Sequence, residues 1–248
     1  MPALNPIGYP FIELRRVEST NNYAMGLLHA AMAQHGVAVF AHDQTRGRGQ
    51  WNREWISDAG QNIALSLVIE PAGLAGIPVF LLSMAMANAC FELLAKFMGE
   101  DELRIKWPND IYWRDRKAAG ILIENIWQGN QWRYAVAGLG VNVNQQEFGT
   151  LAGRAVSIRQ VTGKLFSPIE LAKQLCGEAE SQYRALVTEP ASVASLYRAR
   201  LYQKGKQVKF RKSNRVFEAQ IIDVNSSGQL VVHHGIEEKF DVGAVEWL

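Results

Sequence analysis

Lys106-Trp107-Pro108-Asn109-Asp110, followed shortly by Arg116-Lys117-Ala118-Ala119-Gly120-Ile121-Leu122-Ile123-Glu124, sets two lysines, a bulky aromatic, a proline and a carboxylate between apolar strand-like segments. A purely structural hairpin has no need of that composition, so the stretch reads as part of a binding site. Strands are expected around it at Arg104–Lys106, Ile111–Trp113, Gly120–Trp127 and Gln131–Leu139, with Gln128-Gly129-Asn130 as a hairpin turn. Upstream, Pro78 opens a long apolar helix to about Phe97, which Gly99 ends. Earlier still come strands at Val37–Ala41 and Ile63–Ile69, preceded by a helix from about Thr20 to Gln34 with Ser19 as its cap. Downstream, Ser167-Pro168 caps a helix to about Leu186, and Ala191–Leu201 forms a shorter one.

The pattern changes after Gly205. Val208–Phe210, Val216–Val224, Leu230–His233, Lys239–Val242 and Val245–Leu248 are closely spaced short strands, which predicts a small all-β module. The division is therefore 1–203 for the larger unit and 204–248 for the module. With 248 residues, 48% hydrophobic and 20% charged, the chain can bury a sizeable core and is not of disordered composition. A net charge of +2 is too mild to argue for nucleic acid by itself. Arg46, Arg48 and Arg53 cluster locally, as do the cations from Lys204 to Arg215; the second group also fits a solvated, charge-protected strand edge. Cys90 and Cys176 each sit within an apolar helical pattern, as two buried free thiols in a reducing cytoplasm would. Met1–Pro10 lacks a signal-peptide pattern, and no segment is expected to reach the length of a membrane span.

The loop Asp43–Gly60 is long for a structureless connection and contains Gln44-Thr45-Arg46-Gly47-Arg48-Gly49-Gln50-Trp51-Asn52-Arg53-Glu54-Trp55. Glycines let backbone N–H groups approach an anion, and arginines add bidentate donors suited to phosphate. The run lacks the Lys-Ser/Thr ending of a Walker loop and the third glycine of a dinucleotide fingerprint. Ser19-Thr20-Asn21 serves equally as a helix cap or as a grip on an uncharged polar head group. Lys117 fits a turn lysine or a compact charge for a carboxylate or phosphate, and Asp110 a turn cap or a group near Mg²⁺. Gly138-Leu139-Gly140-Val141-Asn142 is no Rossmann signal, yet it would let a flat base lie against the backbone. The five histidines have no zinc-ligand spacing, and no nucleophile elbow or Cys-His arrangement suggests a covalent enzyme intermediate.

Taken together and in order, Ser19-Thr20-Asn21, the Gln44–Trp55 loop, Lys106–Asp110, Arg116–Glu124 and Gly138–Asn142 strongly resemble the biotin protein ligase family, over about Val17–Asn144. The resemblance implies an α+β fold: a mixed sheet flanked by helices, similar to class II aminoacyl-tRNA synthetases, plus a C-terminal SH3-like barrel. It also implies the chemistry. MgATP activates biotin to biotinyl-5′-AMP, and a lysine of a biotin carboxyl carrier protein then takes the biotin.

Carried over residue by residue, Ser19, Thr20, Asn21, Gln44, Gly47, Arg48, Gly49, Gln50, Lys117 and Gly120 would contact biotin. Arg48, Arg53, Trp55, Asn109, Asp110 and Asn142 would contact ATP, with Lys117, Arg48 and Asp110 closest to the chemistry and the metal ligands unassigned. Where many members carry Gly-Arg-Gly-Arg-Arg-Gly, this chain has Gly47-Arg48-Gly49-Gln50-Trp51-Asn52, so adenylate retention is expected to depend more on Arg48 and Trp51. Only a short segment precedes Ser19, which fits the monofunctional type without a helix-turn-helix domain and without DNA binding. A cytoplasmic protein with no membrane partner is expected, and the family's exposed β-edges leave a homodimer open. The rival readings are a lipoate or octanoyl ligase, a non-catalytic biotin sensor, and a nucleic-acid-binding module.

Overall fold

A computed structural model describes residues 4–74 and 76–248. The reading of Met1–Pro10 thus lies partly, in its first three residues, outside the described residues. The elements in chain order are β1 (Phe11–Leu14), α1 (Thr20–His29), β2 (Ala38–Ala41), β3 (Ile63–Ile69), α2 (Phe80–Met98), β4 (Leu103–Lys106), β5 (Asp110–Trp113), β6 (Arg116–Gln128), β7 (Gln131–Val141), α3 (Ile158–Thr162), α4 (Pro168–Thr188) and α5 (Pro190–Ala199). They are followed by β8 (Gln207–Lys212), β9 (Arg215–Val224), β10 (Leu230–His233), β11 (Glu237–Phe240) and β12 (Glu246–Trp247).

β1 to β7 form one mixed sheet in the order β1-β2-β3-β7-β6-β5-β4, in which β1 and β2 run parallel and the other pairs antiparallel. Side chains alternate across the sheet with a period of two. Phe40, Leu67 and Ala137 join the large core under α2, α4 and α5, while Val39, Val68 and Val136 pack with Ala24 of α1 on the other face. Helices cover both faces, which explains why every residue of β2 and β3 is buried and why both are apolar but for Ser66.

The central helix α2 corrects one expectation. Its 19 residues, with a mean hydropathy of 1.4, do satisfy the length and composition of a membrane span, but 67% of that window is buried inside the protein. It is apolar nearly all round because the sheet, α4 and α5 surround it. Its thiol Cys90 and that of Cys176 in α4 are free and buried, and burial pushes both up to about 12.

Boundaries moved where local chemistry was silent. α1 ends at His29 rather than Gln34, because Ala31 turns the chain left-handed (φ 55°) at a position where glycine would have been the visible signal. Ser167 occupies the N-cap of α4 without a side-chain capping bond; Pro168 in its first turn starts that helix. β1 and α3 were not expected. α3 carries a reciprocal capping box between Ser157 and Gln160 that was present in the sequence. β7 continues through Gly138 and Gly140 to Val141, paired on both sides, so these glycines lie within the middle of the sheet.

β8 to β12 form a second, antiparallel sheet in the order β11-β10-β9-β8-β12. It is fixed to the larger unit beside the opening motif. Trp107 Nε1 donates to Gly228 O at 2.8 Å, and Arg198 Nε donates to Val224 O at 2.6 Å. Gly228 (φ +88°) lies so close to the Phe80 ring that no Cβ would fit.

Candidate functional site

Three glycines open the floor of a cavity of about 890 Å³ over β6 and β7. Gly138 lies against the side chain of Asn21, Gly140 against the indole of Trp55, and Gly120 against Lys117 and Trp55. A Cβ on Gly140 would come within 2.6 Å of that indole. The flat group resting on this backbone is therefore the protein's own tryptophan.

At one end, the first turn of α1 meets the end of β2 and the middle of β3. Ser19 caps α1 by accepting from Asn22 N, which leaves Thr20 and Asn21 to face inward. Gln44 Oε1 accepts from Thr20 N at 2.8 Å and from Thr20 Oγ1 at 3.0 Å. Ser66 Oγ, fully buried in β3, lies 2.6 Å from Asn21 Oδ1 and 2.8 Å from Thr20 Oγ1. Asn21 Nδ2 in turn donates to Glu124 Oε2 at 2.9 Å. This buried set is mutually satisfied, which fixes its rotamers and hence the positions of its remaining donors and acceptors.

At the other end, Lys117 Nζ pairs with Asp110 Oδ1 at 2.7 Å, with both side chains one-third exposed or less. The ammonium also lies 5.6 Å from the centroid of the Trp55 ring. Asn142 is buried and spends both amide hydrogens, on Lys117 O at 3.2 Å and on Val156 O at 3.1 Å, so it positions the backbone that carries Lys117. Asn109 binds Ile121 O and braces β5 against β6. Arg53 lines the cavity close enough for its charge to act on the Tyr112 hydroxyl. Lys106 also lines the cavity, with its ammonium 4.7 Å over Tyr112, 5.0 Å over Trp247 and 5.8 Å over Tyr202. Desolvation within this cage lowers its pKa.

The Gly47–Trp55 stretch is a tight hairpin rather than an open loop. Trp55 N donates to Gly47 O at 2.9 Å, Arg48 bridges Glu54, and Gly49 N donates to Arg53 O at 2.7 Å. Gly47 is the one predicted site residue that does not line the main cavity. It contacts the Trp55 carbonyl, where a side chain would not fit, and faces a second hollow of about 320 Å³ behind the hairpin. Arg48, Gly49 and Gln50 do line the cavity. Arg48 and Lys117 are nevertheless engaged separately, for Arg48 Nη1 binds Glu124 Oε1 at 3.0 Å and Asn22 Oδ1 at 2.7 Å.

Several groups of the site escaped the sequence reading. Ser66 and Glu124, which brace Thr20 and Asn21 from behind the lining, were legible as the lone hydroxyl in Ile63–Ile69 and as the charge closing an apolar run. Arg154, whose carbonyl accepts from Lys117 N at 2.8 Å, and the module residues Arg211 and Val242–Trp247 carry no local signal, since only tertiary folding brings them here. Among the described residues no three His, Cys, Asp or Glu side chains cluster as metal ligands.

Residues 13–142 match the family model described as the biotin/lipoate A/B protein ligase family. A biotin–acetyl-CoA-carboxylase ligase of Paracoccus denitrificans is 32% identical over 231 residues, covering 88% of this chain and 92% of that protein. The bifunctional ligase/repressor BirA of Escherichia coli is 36% identical over 129 residues, 51% of this chain and 38% of BirA. The chain spans from 38% to 62% of the length of the BirA relatives from Escherichia coli, Salmonella typhimurium and Bacillus. In fold, it superposes on a biotin protein ligase from Aquifex aeolicus in complex with biotin and ATP with a TM-score of 0.81 at 21% identity, covering 97% of this chain and 99% of that one.

Proposed function

The chain belongs to the biotin/lipoate A/B protein ligase family, and from that premise we propose that it activates biotin with MgATP and transfers it to a lysine of a biotin carboxyl carrier protein. The observation that carries this reading is one continuous cavity with a satisfied, uncharged network at one end and the Lys117–Asp110 pair at the other. Its volume of about 890 Å³ suits two small molecules placed end to end.

Thr20, Asn21 and Gln44 hold the neutral ureido head, with Ser66 and Glu124 fixing their orientation. The carboxyl tail then runs over Gly138 and Gly120 toward Lys117. In adenylation a carboxylate oxygen attacks the α-phosphorus and pyrophosphate leaves, which first requires bringing together two groups of like charge. Lys117 exchanges its bond to Asp110 for the carboxylate and phosphate oxygens and stabilises the charge that develops. Arg53 and Arg48 contribute further cations once Arg48 leaves Glu124. The adenine lies against Trp55, and Asn142 keeps Lys117 in place from below. Asp110, which pairs with Lys117 through Oδ1, is the residue that would help hold Mg²⁺, and the ion would supply charge neutralisation on the triphosphate. In the second step the acceptor amine attacks the acyl carbon and AMP leaves, while the Arg48–Arg53 hairpin excludes water.

The finer architecture belongs to the same proposal: a class II synthetase-like unit over 1–203 and an SH3-like barrel over 204–248, supported by the mixed sheet and the separate antiparallel sheet. Two unpaired buried cysteines support a cytoplasmic protein. DNA is not among the partners we assign, because most of the module's cations are paired with acids, as in Arg211–Glu246 and Lys212–Glu238. β6 extends beyond the reach of β5, and this free edge supports a homodimer. ATP–pyrophosphate exchange that requires biotin is the test. Exchange with lipoate instead would select the rival ligase, and biotin binding without exchange would select a sensor.

A further inference from the structure

We infer that the C-terminal module is a working part of the adenylate site: Trp51, at the tip of the Gly47–Trp55 hairpin, clasps Gly243 and so holds the hairpin over the bound intermediate. This rests on the adenylation reading above.

Two independent features point to the clasp. Trp51 adopts a left-handed conformation (φ 58°, ψ 40°), one that a bulky side chain holds only when its surroundings enforce it. Its indole meanwhile lies directly on Gly243 and leaves no room there for a Cβ. Gly243 is itself left-handed (φ +85°), so glycine is required at this position twice, by the backbone and by the ring above it. Trp51 is otherwise 68% exposed.

The surrounding geometry gives the contact a purpose. Val242–Trp247 line the same cavity as Arg48–Trp51 and Arg53–Trp55. Gly49 N binds Arg53 O and Arg53 N binds Gln50 O, so the tip is braced on both flanks and anchoring Trp51 also places Arg48, Gln50 and Arg53. With Gln50-Trp51-Asn52 at its tip, this hairpin has few charges with which to grip an adenylate. An apolar seat on a neighbouring module replaces that electrostatic hold, and release of the intermediate then requires the two elements to part. Trp51 is accordingly a positioning residue, acting on the intermediate through Arg48 and Arg53.

The test uses the full chain and two variants that break the clasp from opposite sides, Trp51→Ala and Gly243→Val. Preformed biotinyl-adenylate should dissociate about three- to tenfold faster from either, the range expected for one aromatic contact. The double variant should release no faster than the single ones, and Trp51→Phe should recover part of the loss. Amide hydrogen exchange over residues 48–53 of the ligand-free chain should accelerate in both single variants, with an unchanged melting temperature in Trp51→Ala. Unaltered exchange, or faster exchange with wild-type adenylate release, would overturn the clasp, as would fully additive effects in the double variant. Should the wild type form no adenylate at all, the biotin reading is what fails; the exchange data still decide whether Trp51 and Gly243 hold the hairpin.

Discussion

At the Ser19 end of the cavity, Thr20, Asn21, Gln44 and Ser66 satisfy one another, whereas at the Trp55 end two buried indole nitrogens, Trp55 Nε1 and Trp247 Nε1, have no partner among the described residues. The first end is finished before a ligand arrives. A network whose members are already bonded cannot rearrange cheaply, so it selects a rigid neutral group by the few positions it leaves open. The second end is built from charges and rings engaged with substitutes, Lys117 with Asp110 and Gly140 with Trp55. Binding there exchanges partners, and an orphaned buried donor, costing about 1–3 kcal/mol, is a reserve that ligand contact can relieve.

The sharpest way to break this contrast is Lys117→Met. Adenylation should fall by about 10²–10³-fold, as for loss of one preorganised charge stabiliser, while calorimetry should find biotin affinity nearly unchanged. A loss below about tenfold would remove Lys117 from the chemistry. Next, Ser66→Ala leaves Asn21 Oδ1 without its buried donor. Biotin should bind about ten- to a hundredfold more weakly with the Michaelis constant for ATP unmoved, and a change in both would mean that the two ends are not independent.

Gly140→Ala probes the opposite end. The new methyl displaces the Trp55 indole, so the ATP Michaelis constant should rise about three- to tenfold while biotin affinity holds. The smallest effect concerns neither end. His35 is buried, its Nδ1 accepts from Glu70 N at 3.1 Å, and desolvation lowers its pKa from 6.5 against the opposing pull of Glu180 and Glu70. The unfolded chain therefore takes up the proton first as the pH falls through 6.5, and stability is lost from there downward but not above. Melting temperatures of wild type and His35→Gln at about pH 7.5 and 5.5 should diverge only at the acid value.

Much of this contrast was legible in the chain. The Lys106–Asp110 stretch announced itself by polar residues placed between apolar strands, and the module by its strand spacing. Ser19-Thr20-Asn21, Gln44 and Lys117 stood open between cap, loop or turn and site until the family resemblance set them together. Arg154, Arg211 and Val242–Trp247 carried no signal, because each owes its place to packing between distant segments. The Gly47–Trp55 run looked like an open loop, since its cross-hairpin bonds are made by backbone atoms that no residue type encodes. For Gly138 and Gly140 the reading was half complete: a flat ring does lie on the backbone, but it comes from Trp55.

The two thiols have a practical consequence. Cys90 and Cys176 are buried with pKa values pushed up to about 12, so at neutral pH they carry almost no nucleophilic thiolate. To an alkylating dye the folded chain is chemically blank. A single cysteine introduced on the exposed hairpin would thus be the one position labelled, and opening and closing over the cavity would become something to watch by fluorescence, one molecule at a time.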